Sequence, residues 1–376
     1  MWGTGIRIGF RQNKHYSIKD PNIYFLKRSQ KGKAMKKRIL LMTTGGTIVS
    51  VKKGEGLQPG SDSALLSLID EETKRVCDIT QKAVFSLDSS NMQPRDWQRI
   101  ARAVFDALPF YDGIVITHGT DTLGYTSSML CFMLRGLTIP VVLTGSQLPM
   151  DHPLTDAAVN LRTALAMAQS GIGGVFVAFN QKIIPGCRAV KVRTSGFNAF
   201  ECINAPLAGF VDSSGLHINH RTVRVPAAEA PTLLDQIDAR VFLLKLTPAT
   251  DPSVLDLLIR SDYHGIMIEA FGIGGIPDSP GCDFAKALGK AAQKVPVIVC
   301  SQCLYEPCDF SVYQVGLHAL EQGAFPSFDM TTEAILTKLI WILGQTKELP
   351  EVKKLFYTNL AGEISEDLSS ETNVAM

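Results

Sequence analysis

Ile39-Leu40-Leu41-Met42-Thr43-Thr44-Gly45-Gly46-Thr47 is an unbroken apolar run that stops on hydroxyls and a glycine pair. A strand that is apolar on both faces belongs in a sheet covered on both faces, as in a parallel sheet between layers of helices. Four more runs of this kind follow, at residues 83–87, 113–117, 140–144 and 174–179. Helical patterns separate them. Residues 94–108 open with a proline suited to a helix start and put Trp97, Ile100, Ala101, Val104, Phe105 and Leu108 on one stripe. Residues 122–134 and 155–168 have similar spacing, so the whole reads as a βαβ series.

A polar, irregular stretch with His217, His220, Arg221, Arg224, Pro226 and Pro231 then interrupts the pattern and reads as a linker over residues 216–237. Beyond it, strands are expected at 241–246, 265–270 and 295–300, and helices at about 253–259, 283–293, 311–321 and 331–343. The division is therefore a larger α/β domain over 36–215, a smaller α/β domain over 238–362, and a frayed acidic tail over 363–376. Residues 1–35 form a basic N-terminal extension, read as disordered.

The formal charge of the 376 residues is +1, but it is unevenly spread. Residues 1–38 carry eleven basic side chains and a single acidic one, net +10, which leaves −9 on the rest. Three readings of the arm stand: a charge-driven contact with nucleic acid or anionic surfaces, a transit-like extension, or sequence upstream of the natural start. Met35, directly before Lys36-Lys37-Arg38, favours the last. Hydrophobic residues at 45% and charged ones at 19% fit a folded domain with a large core and exclude a disordered chain. No apolar run approaches the ~20 residues that cross a bilayer, and no secretory signal pattern is present. The eight cysteines are sparse and mostly sit in apolar runs, which reads as reduced thiols in a cytosol.

In open α/β sheets, ligands bind beyond the carboxyl ends of the strands. Four consecutive strands end in such polar text: Thr43-Thr44-Gly45-Gly46-Thr47, Asp88-Ser89-Ser90, His118-Gly119-Thr120-Asp121-Thr122 and Gly145-Ser146-Gln147. Any one of these alone would serve as a helix cap or turn. A threonine between strand and glycines can act as a nucleophile if a base is near, and the glycines let backbone N–H groups approach a developing oxyanion. The ionisable candidates are Asp88, His118, Asp121, Arg188 and Lys191. No phosphate-binding glycine pattern follows these strands, and Gly272-Ile273-Gly274-Gly275 lacks a third glycine at the required offset.

T-G-G-T-I after the first strand, D-S-S-x-M after the second and G-x-x-x-T-H-G-T-D-T after the third resemble, in order and spacing, the bacterial asparaginase/glutaminase family, with a closer likeness to the cytosolic type I L-asparaginases. Gly186-Cys187-Arg188-Ala189-Val190-Lys191 looks like that family's lysine-bearing loop, and Asp309-Phe310-Ser311-Val312-Tyr313 resembles a type I segment. The likeness runs from about Lys36 to Gly362. It implies a larger N-terminal flavodoxin-like parallel sheet sandwiched by helices, a smaller C-terminal α/β domain, and hydrolysis of L-asparagine through an ester on Thr44. It further implies that Thr120, Asp121 and Lys191 activate the nucleophile or water, that Asp88, Ser89 and Ser90 hold the substrate's charged ends with Asp121 on its ammonium, and that amides near Thr120 stabilise the oxyanion. A homodimer or homotetramer in the cytoplasm is implied, with no metal or cofactor and no nucleic-acid or membrane partner.

The sequence also departs from the pattern. Leu57 stands where better-known members carry a tyrosine, Val49 where a small residue is usual, Ala157 for a glycine, and Gly275 where many have an asparagine. Glutamine deamidation, alone or as the ammonia-supplying subunit of a transfer-RNA amidotransferase, and a non-catalytic amino-acid sensor are the alternatives. His118 reads as a packed histidine rather than a base. Cys300, Cys303 and Cys308, with Cys282 too far upstream for a zinc set, read as structural or incidental. Val190 stands where allosteric members use a hydroxyl, so cooperativity is not expected.

Overall fold

The computed structural model describes residues 36–53, 56–59, 62–223, 230–279, 281–308, 310, 314–365 and 368. The basic arm and most of the acidic tail lie outside them, as do Met35, Asp309 and residues 311–313. The described residues fall within one compact unit.

The larger sheet contains β1 (Lys37–Gly45), β2 (Cys77–Leu87), β3 (Gly113–Thr117), β4 (Pro140–Thr144), β5 (Gly174–Phe179), β6 (Lys182–Pro185), β9 (Gly209–Asp212) and β10 (Gly215–Ile218). Between β6 and β9 a separate small hairpin joins β7 (Ala189–Lys191) to β8 (Phe200–Cys202). The strand order of the sheet is β2-β1-β3-β4-β5-β6-β9-β10, parallel through β5 and antiparallel beyond. The order 2-1-3-4-5 is the flavodoxin-like one, in which the chain reverses its winding between β1 and β3 and leaves a crevice at their carboxyl ends.

The unbroken apolar runs are explained by two buried faces. Leu40, Met42, Ile114, Ile116, Val141 and Leu143 pack toward α1 (Pro94–Ala107) and α2 (Leu123–Met133), while Ile39, Leu41, Val115 and Val142 pack toward α3 (Ala157–Ala168). At roughly 1.5–3 kcal/mol per fully buried large aliphatic side chain, these alternating residues supply much of the drive for the sheet. α1 opens on Pro94 with a capping box between Gln93 and Asp96.

The second sheet is β11 (Val241–Lys245), β12 (Gly265–Ala270), β13 (Val297–Ser301) and β14 (Phe325–Pro326), parallel and in that order. Around it stand α4 (Ser253–Arg260), α5 (Phe284–Ala292), α6 (Gln314–Glu321), α7 (Thr332–Gln345) and α8 (Leu349–Tyr357). Trp341, Ile335 and Leu339 of α7 share one apolar cluster with Phe132 and Met133 of α2, so the two sheets are joined by continuous packing.

Three expectations need correction. Residues 83–87 are only the end of a longer strand, and β2 is the sheet edge rather than covered on both faces, because Asp78, Thr80 and Lys82 face solvent along it. The stretch read as a linker from residue 216 begins inside β10, an edge strand of the larger sheet. The tail read as frayed from residue 363 starts fully buried: Glu363 meets Lys338 at 2.6 Å with both side chains 0% exposed, and Ile364 packs into the core.

Candidate active site

Thr44 ends β1 at the crevice, buried, with its Oγ1 donating to the Thr117 carbonyl at 2.9 Å. The turn after it brings three chain segments into backbone contact. Gly45 and Gly46 adopt φ of +101° and +84°, and a Cβ on Gly46 would lie 2.4 Å from the Gly119 nitrogen. A Cβ on Gly119 would in turn lie 2.5 Å from Ser89 Oγ. Only glycine fits this left-handed, tightly apposed turn. The Gly46 N–H, read from sequence as facing an oxyanion, instead donates to the Leu87 carbonyl at 3.2 Å. Its task is to fasten the β1 and β2 ends together.

At the β2 end, Asp88 caps the short turn Ser89–Asn91, its Oδ1 accepting from the Ser90 amide and hydroxyl, each at 2.9 Å. Ser89 is buried beside Gly119, and its carbonyl accepts from Thr122 Oγ1 at 2.8 Å. At the β3 end, Thr120 is buried and receives a hydrogen bond from Lys191 Nζ at 2.8 Å. The same ammonium pairs with Asp121 Oδ1 at 2.6 Å, with Lys191 mostly covered and Asp121 59% exposed. Lys191 is delivered by β7, whose pairing with β8 holds it opposite Phe200. Thus Thr44, Ser89, Thr120, Asp121 and Lys191 gather at the carboxyl ends of β2, β1 and β3, with Asp88 and Ser90 on the turn that carries Ser89.

His118 lies behind this group, fully buried. Its Nδ1 is 2.7 Å from the Gly119 carbonyl, which can only accept, so Nδ1 carries the proton. Nε2 then accepts from Thr126 Oγ1 at 2.9 Å, and Thr126 accepts in turn from Trp97 Nε1 at 3.1 Å. Burial pushes the imidazole pKa down to about 4, so His118 is a neutral packed residue. Arg188, a charge candidate from sequence, does not reach the group: it is 1% exposed and pairs with Asp329 Oδ2 at 3.0 Å.

Gln147, at the β4 end, was legible as polar strand-end text without a role, and the structure places its Oε1 3.4 Å from Thr120 Oγ1. Leu57 lies on a short hairpin strand, Gly56–Pro59. Gly275 closes a turn on Phe271, its N–H donating to that carbonyl at 2.7 Å. No disulfide joins any of the eight cysteines, all of which are described; Cys300 and Cys308 are buried and Cys303 is exposed. Two cavities, about 380 Å³ beside Leu134, Gly174 and Ala361 and about 130 Å³ beside Lys245, Glu269 and Ser301, are not lined by Thr44, Thr120 or Lys191. The candidate site is the strand-end crevice itself.

Comparison with known proteins points to the same chemistry. Residues 38–224 match the family "Asparaginase, N-terminal" and residues 240–356 match the "Glutaminase/Asparaginase C-terminal domain". The chain is 44% identical to an L-asparaginase of Thermococcus kodakarensis over 87% of its own length and 99% of that protein. It is 35% identical to a component of the glutamyl-tRNA(Gln) amidotransferase of Pyrococcus abyssi, over 89% of this chain and 78% of that one. Among solved structures, the thermostable Thermococcus kodakarensis L-asparaginase superposes with a TM-score of 0.82 at 43% identity, covering 87% of this chain and 99% of that one. L-asparaginase I of Vibrio cholerae superposes at 0.79 and 29% identity, covering 88% and 100%.

Proposed function

The chain belongs to the asparaginase family, and from that premise we propose that it is an L-asparaginase whose chemistry runs through Thr44. It is an amidohydrolase that converts L-asparagine and water to L-aspartate and ammonia. The observation that carries the residue assignment is Lys191 bonded at once to Thr120 and Asp121, at the crevice where the Thr44 hydroxyl ends β1.

Thr44 Oγ1 attacks the side-chain amide carbon, and the carbonyl electron pair moves onto oxygen, where backbone amides near Thr120 receive it. The proton leaving Thr44 is taken up by the Thr120, Asp121 and Lys191 set. It returns to the amide nitrogen as the C–N bond breaks and ammonia departs, leaving a β-aspartyl ester on Thr44. Water then attacks the ester carbon, the ester C–O bond breaks, and Thr44 regains its proton as aspartate leaves. Asp88, Ser89 and Ser90 hold the α-carboxylate and α-ammonium groups, and the exposed Asp121 carboxylate adds to the grip on the ammonium. Fixing both charged ends places the amide by the hydroxyl, worth several kcal/mol of the barrier, roughly 7 or more at best.

The cytosolic type I group is the closer assignment, supported by the likeness to Vibrio cholerae L-asparaginase I and by eight cysteines, none in a disulfide among the described residues. Among the described residues no helix is long and apolar enough to cross a membrane. A homodimer or homotetramer is the proposed assembly. Ammonia release measured side by side with asparagine and glutamine tests the function. Because a pocket separates one methylene by only about 1–3 kcal/mol, a clear preference for asparagine supports the assignment, and release from glutamine alone contradicts it.

A further inference from the structure

Gln147 is held in an unusually determinate way. Its backbone N–H donates to both Asp156 carboxylate oxygens, at 3.0 and 3.1 Å, which fixes where the side chain starts. Its Nε2 donates to the carbonyls of Thr194 and Gly196, each at 3.1 Å. Carbonyls only accept, so the amide orientation is decided by its partners: nitrogen toward residues 194–196, and oxygen toward Thr120.

Thr120 Oγ1 has one proton and two lone pairs. Lys191 Nζ donates into a lone pair at 2.8 Å. Gln147 Oε1, at 3.4 Å, has no proton to offer and so receives the one on Thr120. Residues 194–196 follow Lys191 after Val192 and Arg193, and Arg193 closes the same loop by donating to the Asn198 carbonyl at 2.7 Å. The Gln147 amide therefore touches both partners of the Thr120–Lys191 contact: the hydroxyl directly, and the lysine's strand through the loop that follows it.

We propose that Gln147 is a positioning residue for the hydrolysis, setting the Thr120 hydroxyl so that its lone pair stays on Lys191 while its proton points away. The inference rests on the reading that Thr120 and Lys191 serve the reaction. A long bond suits this task. Catalytic hydrogen bonds in empty sites are often long and tighten when substrate arrives, and a loosely held proton can swing to water or the departing amide without disturbing Lys191.

Two variants of the full chain test it, each assayed for ammonia release over a pH series. Gln147→Met keeps the length and removes donor and acceptor, and kcat for asparagine is expected to fall about 10- to 100-fold with KM within about threefold. Gln147→Glu keeps an acceptor toward Thr120 and loses the donor to Thr194 and Gly196, and is expected to keep about tenfold more kcat than Gln147→Met. A Gln147→Met enzyme with kcat within about threefold of the parent overturns the inference. So does a Gln147→Glu enzyme no faster than Gln147→Met, because a purely structural role, lost with the donor to Thr194 and Gly196, would make the two variants equal. Thr120→Ala protein is measured alongside: turnover at the parental rate there removes the underlying reading itself, whereas an inactive Thr120→Ala with a parental Gln147→Met removes only this inference.

Discussion

Lys191 Nζ meets Thr120 Oγ1 at 2.8 Å across 71 residues of chain. The two arrive by different routes. Thr120 follows a buried central strand, and Lys191 comes on a short hairpin outside the sheet. Their meeting, with Asp121 on the same ammonium, turns a strand-end crevice into a site able to move a proton.

Replacing that lysine by methionine keeps the apolar stem and removes the charge and the proton carrier. Lys191→Met is expected to lose about 100- to 10,000-fold in kcat. KM should change far less, because the proposed site holds the substrate's charged ends mainly through Asp88, Ser89 and Ser90. Steady-state ammonia release checks both numbers.

A buried ion pair secures the C-terminal segment. Burial pushes the Glu363 carboxyl up, but Lys338 at 2.6 Å and the amides of Leu360 and Ala361 outweigh it and hold the group below its usual value. Lys338→Met strands that carboxylate in the core and is expected to cost about 3–5 kcal/mol. Lys338→Met combined with Glu363→Leu should recover much of the loss, since it removes both charges. Denaturant unfolding of the single and double variants is the measurement.

Glu333, in the first turn of α7, gives a pH signature of opposite kind. Burial, helped by the charge of Glu269, raises its pKa from 4.5 to about 7, and its Oε2 has no hydrogen-bond partner among the described residues. Between those values the folded protein keeps a proton that the unfolded chain has released, so this group makes stability fall as pH rises from about 4.5 to about 7. The full contribution is about 3 kcal/mol. Glu333→Gln is neutral throughout and should flatten that part of the stability profile; an unchanged slope would show that the carboxyl titrates normally.

Much of this was legible in the sequence where residue type and position act together. The runs at 39–43, 113–117 and 140–144 announced buried parallel strands because both faces are apolar, and the structure keeps them there. Local pattern marked Thr44 as a strand-end hydroxyl beside glycines and left Asp88, His118, Asp121, Arg188 and Lys191 as open ionisable candidates; grouping Thr120, Asp121 and Lys191 rested on the family resemblance. The first half of β2 was not legible, since an edge strand has no need of apolar residues and Asp78, Thr80 and Lys82 mask it. Glu363 read as part of a frayed tail because its partner lies on α7, and nothing local marks Lys338 as buried. Gln147 was visible only as a polar residue; its orientation depends on two carbonyls some fifty residues away.

The proposed hydrolysis turns on Thr44 as the nucleophile. The most direct measurement is ammonia release from L-asparagine by folded Thr44→Ala protein, its melting behaviour matched to the parent. The account predicts release lowered by at least about 10,000-fold, because no ester can form without the hydroxyl. Ammonia released at the parental rate would contradict it.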